Sequence, residues 1–241
     1  GVDAAKIVYI TGGASADEPR NFMARENYYE SPAQTAVLKA VTQGFDAPNF
    51  ERVELYSCFP IVPKMARRIL QLPKAMPPTV TGGLSFFGAP LNNYMTHSAC
   101  AMVREIRVGA ASGLLYGQGE FVTKHYALTL SGQAGGFKGI SAGDKNAAAD
   151  AARGAVPPFD ADASGPAVIE TFTIPYDRAG KAQHAILVVR LNNGARSLAK
   201  YILDDERKLA WMTAPDVSPI GTHGVLSLGE DGIPFWTRAA A

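Results

Sequence analysis

Cysteine is scarce: Cys58 and Cys100 are the only two in 241 residues. A pair in a chain this long makes neither a disulfide framework nor, on its own, a zinc site. Charge of one sign is missing as well, with 23 Lys+Arg against 22 Asp+Glu. That balance argues against a nucleic-acid or anionic-membrane binder, which needs a basic footprint. No apolar run approaches the ~18 residues of a membrane helix, and no basic-then-apolar leader opens the sequence. These lacks lead us to expect a soluble, cytoplasmic protein without nucleic-acid or membrane partners. Core material is plentiful: 47% of residues are hydrophobic and 19% charged, which excludes disorder over most of the length. The length suits one large domain, or a medium domain plus a small one.

The apolar pattern changes near residue 165. Before it, strands expected at Lys6–Ile10, Val53–Ser57, Gly113–Tyr116 and Val122–Leu130 alternate with helical patterns. Ser31-Pro32 reads as an N-cap followed by proline at the first helical position, ahead of Ala33, Val37 and Val41. Ile61–Leu72 is a helix with a basic face of Lys64, Arg67 and Arg68, and Asn92 or Asn93 caps a helix running to about Arg107. Interleaved helices and strands imply an α/β fold over residues 1–131, with crossovers and a sheet buried on both faces. Residues 132–165, with Gly-Gly, Pro-Pro and an alanine-rich run, read as a linker. From 166 to 241 the period becomes two. Strands there flank Asp177–Gly180 and Asn192–Gly194, with a short helix at Asp204–Thr213, the pattern of a small antiparallel, OB-like β-barrel. Its acids and bases nearly balance, which argues against oligonucleotide binding.

The segment Thr79–His97 holds a glycine pair, an aromatic turn, Gly88-Ala89-Pro90, Asn92-Asn93-Tyr94 and His97-Ser98. Such a loop lets its backbone approach a ligand closely. Together with Leu55-Tyr-Ser-Cys-Phe-Pro60, Gly117-Gln-Gly119 and Thr123-Lys-His125, it resembles the carboxyl-terminal half of the thiolase superfamily. More closely, the run is similar to the bacterial thiolase-like proteins of type 1, often labelled acetyl-CoA acetyltransferase, which carry an additional C-terminal β-domain. The resemblance implies a thiolase-like half over residues 1–131, a mixed five-stranded sheet with helices on both faces. The resemblance implies acyltransferase chemistry on acyl-CoA thioesters in lipid metabolism, with no cofactor beyond that coenzyme A thioester substrate. It implies as partners acyl-CoA and an N-terminal thiolase half or partner subunit, in a homo- or hetero-oligomer. The acyl-accepting cysteine of thiolases belongs to that N-terminal half.

Position by position the match departs from thiolases. Tyr56-Ser57-Cys58-Phe59 stands where they have Asn-Glu-Ala-Phe or His-Asp-Cys-Phe, so Tyr56 replaces the residue that holds a catalytic water. Ala89 replaces the histidine of Gly-His-Pro, and Gly117 the proton-shuttling cysteine of Cys-x-Gly. Acyl transfer needs a thiolate, a base and oxyanion donors. The catalytic candidates left are His97, His125, Tyr56 and Cys58. His97 lies off the apolar stripe of Met95, Ala99, Met102 and Ile106, in a first helical turn whose dipole favours neutral imidazole. It serves either a thioester oxygen or the helix backbone. His125 either points into the cleft or anchors a strand. Cys58 is either a reactive thiol or a small buried hydrophobe, and Cys100, mid-helix, is expected to be the latter. Substrate-binding candidates are Gly82, Gly83, Phe86, Gly88, Asn92, Asn93, Gly117 and Gly119. No metal site is expected, and His184 and His223 are read as surface residues. Three functional readings stand: an acyltransferase half, a non-catalytic acyl-thioester binding or scaffold module, and a thiolase-fold aldolase component.

Overall fold

The Ser31-Pro32 pair opens helix α1 (Pro32–Thr42), which buries Ala33, Val37, Leu38 and Val41. The Ser31 hydroxyl accepts from Gln34 N at 3.0 Å, satisfying one of the orphan donors of the first turn. This computed structural model describes residues 3–42, 50–135 and 143–239. By its internal contacts the chain divides into two units, Gly1–Gly154 and Ala155–Ala241.

In the first unit, strands β1 (Tyr9–Asp17), β2 (Arg52–Leu55), β3 (Ser112–Gly119), β4 (Lys124–Ser131) and β5 (Gly143–Asp144) form one sheet in the order β2-β3-β4-β1-β5. The β2/β3 and β1/β5 pairs are parallel, the other two antiparallel. Helices α2 (Ile61–Leu70), α3 (Leu84–Phe87), α4 (Tyr94–Arg107) and α5 (Asn146–Ala152) complete the unit. Because strand side chains alternate between faces, Leu114, Tyr116, Ala127, Ala14 and Ala16 meet α1, α2 and α5 on one side. Leu115 and Leu130 meet Met102 and Ile106 of α4 on the other. A side chain at Gly113 would collide with Met102, so that glycine sets how closely α4 approaches β3.

Some boundaries differ from the sequence reading. The expected Lys6–Ile10 strand starts later, at Tyr9, after a 3-10 turn capped by Asp3, and it continues through Gly12 and Gly13 to Asp17. Gly13 lies opposite Leu128, and a Cβ there would sit 2.7 Å from its side chain. Segment 132–165 is not linker throughout: β5 and α5 fall inside it and belong to the first unit. The alanines taken as a sign of loop let α5 lie against the core, with Ala149 fully buried, and the Asn146 side chain accepts from Asp17 N at 2.8 Å. Phe137 and Ile140 of that segment lie outside the described residues.

The second unit is a closed barrel of β6 (Gly165–Thr173), β7 (His184–Leu191), β8 (Arg196–Ile202), β9 (His223–Leu228) and β10 (Pro234–Arg238), with α6 (Glu206–Thr213) between β8 and β9. The ring order β10-β8-β7-β6-β9 closes through a parallel β8/β10 contact, so the expected all-antiparallel barrel has one parallel seam. Ile169, Leu187, Val189, Tyr201, Leu226 and Trp236 fill its interior. A bulge in β6 at Glu170 turns that carboxylate onto Arg196, whose side chain is 0% exposed, with bonds of 2.9 and 2.5 Å. His223 is exposed and His184 half-buried, close to the surface positions expected.

Candidate functional site

Strands β2 and β3 are parallel, so their carboxyl ends share one sheet edge, where α/β folds gather ligands. Past β2, Tyr56 N donates to Tyr116 O at 3.0 Å, carrying Tyr56, Ser57 and Cys58 along the end of β3. Leu55 N donates to Pro78 O at 2.8 Å and leads in the glycine loop. Gly82 and Gly83 hold φ of 86° and 81°, backbone that side-chain-bearing residues rarely adopt. A Cβ on Gly83 would lie 2.8 Å from Ser57 Oγ, so glycine permits the loop to close onto the end of β2. There Leu84 N donates to Ser57 Oγ at 3.4 Å.

This edge brings together most of the sequence candidates. The Tyr56 ring meets Tyr94 edge-on at 5.2 Å, and burial raises the Tyr56 phenol. Cys58 is half-buried and its sulfur accepts from Gln118 Nε2 at 2.5 Å, while Gln118 Oε1 is fixed by Val122 N at 3.1 Å. Burial pushes the Cys58 thiol up, against the smaller opposing effect of the Gln118 bond. The group at neutral pH is therefore the thiol, a weak nucleophile. Gly117 faces Met95, whose side chain comes within 3.2 Å of where a Cβ would stand. His97 lies half-buried in the first turn of α4, its ring 5.9 Å from Phe87. Phe86 is 82% exposed. Asn92 and Asn93 are exposed, and Asn93 stands at the head of α4 without a capping bond from its side chain. Gly88 borders open space and Gly119 rests on Lys124.

His125 is elsewhere. It is fully buried under the sheet, and desolvation lowers its pKa to about 4. The Ser31 hydroxyl donates to Glu18 Oε1 at 2.7 Å, so it can only accept from His125 Nε2 at 3.2 Å. Val122 O, also 3.2 Å from Nε2, agrees in placing the proton there. Nδ1 then accepts from the Tyr116 hydroxyl at 2.7 Å, which in turn accepts from Gln34 Nε2 at 2.9 Å. Of the two roles open to His125, anchoring is the one this geometry performs: it ties α1 to the sheet. Cys100 corrects the expectation of a buried residue, being exposed on α4. The basic face of α2 also divides: Arg67 turns back to Pro73 O at 2.6 Å and Met76 O at 3.2 Å, leaving Lys64 and Arg68 exposed.

Sequence reasoning passed over Glu54, Ser57, Thr81 and Gln118. Glu54 had a signal: a lone carboxylate between Val53 and Leu55 in a strand buried on both faces.

Residues 149–230 match the family described as thiolase-like protein type 1 additional C-terminal domain. Over 99% of its length the chain superimposes, with a TM-score of 0.82 and 28% identity, on the crystal structure of a monomeric SCP2-thiolase like protein type 1 from Mycobacterium smegmatis. Residues 149–230 belong to the family of that additional domain, and the chain as a whole has the fold of a thiolase-like protein of type 1. It spans about half of that relative, covering 52% of its chain. No curated protein matches it. Set against the thiolase-like pattern, the Gly117 position acquires a physical meaning. A Cβ there would meet Met95 at 3.2 Å, so a larger residue would require that side chain to give way by a few tenths of an ångström.

Proposed function

We propose that this chain carries the ligand-holding half of an acyl-coenzyme A thioester site of thiolase type, with the acyl-accepting sulfur supplied from outside it. The observation that carries the reading is the convergence, at one sheet edge, of the Gly82-Gly83 loop, Tyr56–Cys58 and Gly117–Gly119. Glycines at positive φ leave backbone exposed to an extended ligand. His97 is the group suited to hydrogen-bond a thioester oxygen or accept a proton. A covalent acyl step needs a thiolate, and Cys58 with its raised pKa is poorly suited to it. This last point also supports a second reading, a binding module without turnover of its own. Calorimetric titration with acetyl-CoA, run beside an assay for free thiol release from acetoacetyl-CoA, separates the two. Binding without turnover by this chain, and turnover once a thiolase N-terminal half is added, supports the first. Binding with no turnover in either case supports the second, and no binding overturns both.

The partner in this reading is the other half of a thiolase-like unit, on the same or a separate chain. On the face of β1 and β4 opposite α1, Ile10, Tyr126 and Leu128 are 70%, 52% and 42% exposed. They line a shallow groove of about 580 Å³ floored by Gly12 and Gly13. An open apolar sheet face of this kind is characteristic of an interaction surface. Leu128→Glu is expected to weaken that association in sedimentation, and unchanged association would remove this face from the proposal.

A further inference from the structure

Glu54 is 0% exposed, yet four donors converge on its carboxylate. Oε2 accepts from Val80 N at 3.0 Å and Thr81 N at 3.1 Å. Oε1 accepts from the Tyr94 hydroxyl at 2.7 Å and the Thr81 hydroxyl at 3.2 Å. None of these donors is a cation. A carboxylate buried without a counter-charge is costly, and neutral hydrogen bonds must offset its lost hydration. An apolar residue is the ordinary choice at such a strand position, so the acid has to be accounted for by what it holds. Its four bonds join three segments that lie apart in the sequence: β2, the start of the glycine loop, and the first residue of α4. The contacts extend one step further. Thr81 Oγ1 accepts from Gly83 N at 3.1 Å, and the Tyr94 ring supports Tyr56.

We propose that Glu54 is the positioning residue of the site: its carboxylate fixes the Gly82-Gly83 backbone and the Tyr94–Tyr56 pair in the arrangement that receives the thioester. The proposal rests on the acyl-thioester reading above. It distinguishes two substitutions of nearly equal size. In Glu54→Gln the carboxamide oxygen takes over the two backbone N–H groups, and its NH2 donates to the two hydroxyls, so the clamp survives. In Glu54→Leu the volume is kept and every bond is lost.

The test combines acetyl-CoA titration with hydrogen exchange of the whole chain. Glu54→Leu is expected to bind about tenfold or more weakly. Amides of residues 80–84 should exchange faster while those of β7 and β8 stay unchanged. Glu54→Gln should bind within about threefold of the parent. Its Tyr94 phenol, held up to about 12 mainly by burial with Glu54 adding to it, should titrate at lower pH in ultraviolet absorbance. Should Glu54→Leu not fold, Thr81→Val, which deletes only the hydroxyl, is expected to speed exchange at Gly83 in the same way. Unchanged exchange of the loop in these variants, or Glu54→Gln binding as weakly as Glu54→Leu, overturns the proposal. Failure of the parent chain to bind acetyl-CoA removes the thioester reading instead, and the exchange measurements still decide whether Glu54 holds the loop.

Discussion

The two units bury polar groups to different ends. The first gathers many of them into hydrogen-bonded clusters, among them Glu18–Ser31–His125–Tyr116–Gln34 and Glu54–Thr81–Tyr94, which tie loops and helix ends to the sheet. The barrel sets an ionic knot, Glu170 with Arg196 and Arg190, beside a largely apolar interior. One of those clusters, around Glu54, holds the glycine loop in shape, and the other ties α1 to the sheet. The two ion pairs of Glu170 tie the bulge of β6 to β7 and β8. The difference teaches where side chains control backbone geometry: at the edge that carries the glycine loop.

The largest expected effect lies in the barrel. Glu170→Ala takes a carboxylate away from the fully buried Arg196 guanidinium, and removal of one partner from such a pair costs about 3–5 kcal/mol. Both tryptophans, Trp211 and Trp236, belong to the barrel, so their fluorescence reports its unfolding. An unchanged denaturant midpoint in that signal would remove the ionic knot from the account. Arg190 and Arg196 hold the Glu170 carboxyl below its usual range despite burial. Its contribution is therefore present above the unfolded carboxyl pKa, about 4.3, and is lost as pH falls through the lower folded value.

The first unit should respond earlier to acid. An unfolded histidine takes up its proton near pH 6.5, whereas burial keeps His125 neutral down to about 4. Between those values the unfolded state binds a proton that the folded state refuses, so stability falls as pH drops, by about 3 kcal/mol across the window. Far-ultraviolet dichroism, which follows the whole chain, should lose stability from pH 6.5 downward while the tryptophan signal holds until near pH 4. His125→Gln should flatten the first slope. Coincident acid transitions in the two signals would erase the contrast between the units.

The smallest effect is at the glycine loop. Leu91 is 89% exposed yet sits at φ 53°, backbone that costs a leucine roughly 1–2 kcal/mol. With no packing to lose, Leu91→Gly is expected to raise stability by at most about 1 kcal/mol, measured by chemical denaturation. A drop would mean that the exposed leucine makes contacts this account omits.

Local signals in the sequence were legible where one residue decides the outcome. Ser31-Pro32 opens α1 because the cap and the fixed proline φ act within a single turn. The shift of period near residue 165 marks the barrel because alternation is a property of each strand. What could not be read depends on partners distant in the chain. His125 follows a Gly-x-Gly turn and resembles a cleft residue, but its environment is set by Ser31 and Tyr116. The alanine-rich run resembles a linker until α1 supplies the surface that a small-residue helix fits. Cys100 reads as buried from its place mid-helix, and the packing of α4 turns it outward. In the site, the motif glycines stand out by type, whereas Glu54 and Gln118 gain their meaning from the atoms they meet.

Hydrogen exchange of the parent chain with and without saturating acetyl-CoA tests the central claim most directly. Protection confined to residues 79–97 and 116–120, with the barrel strands unaffected, is the result this account requires. Protection centred on the barrel, or no protection anywhere, would contradict it.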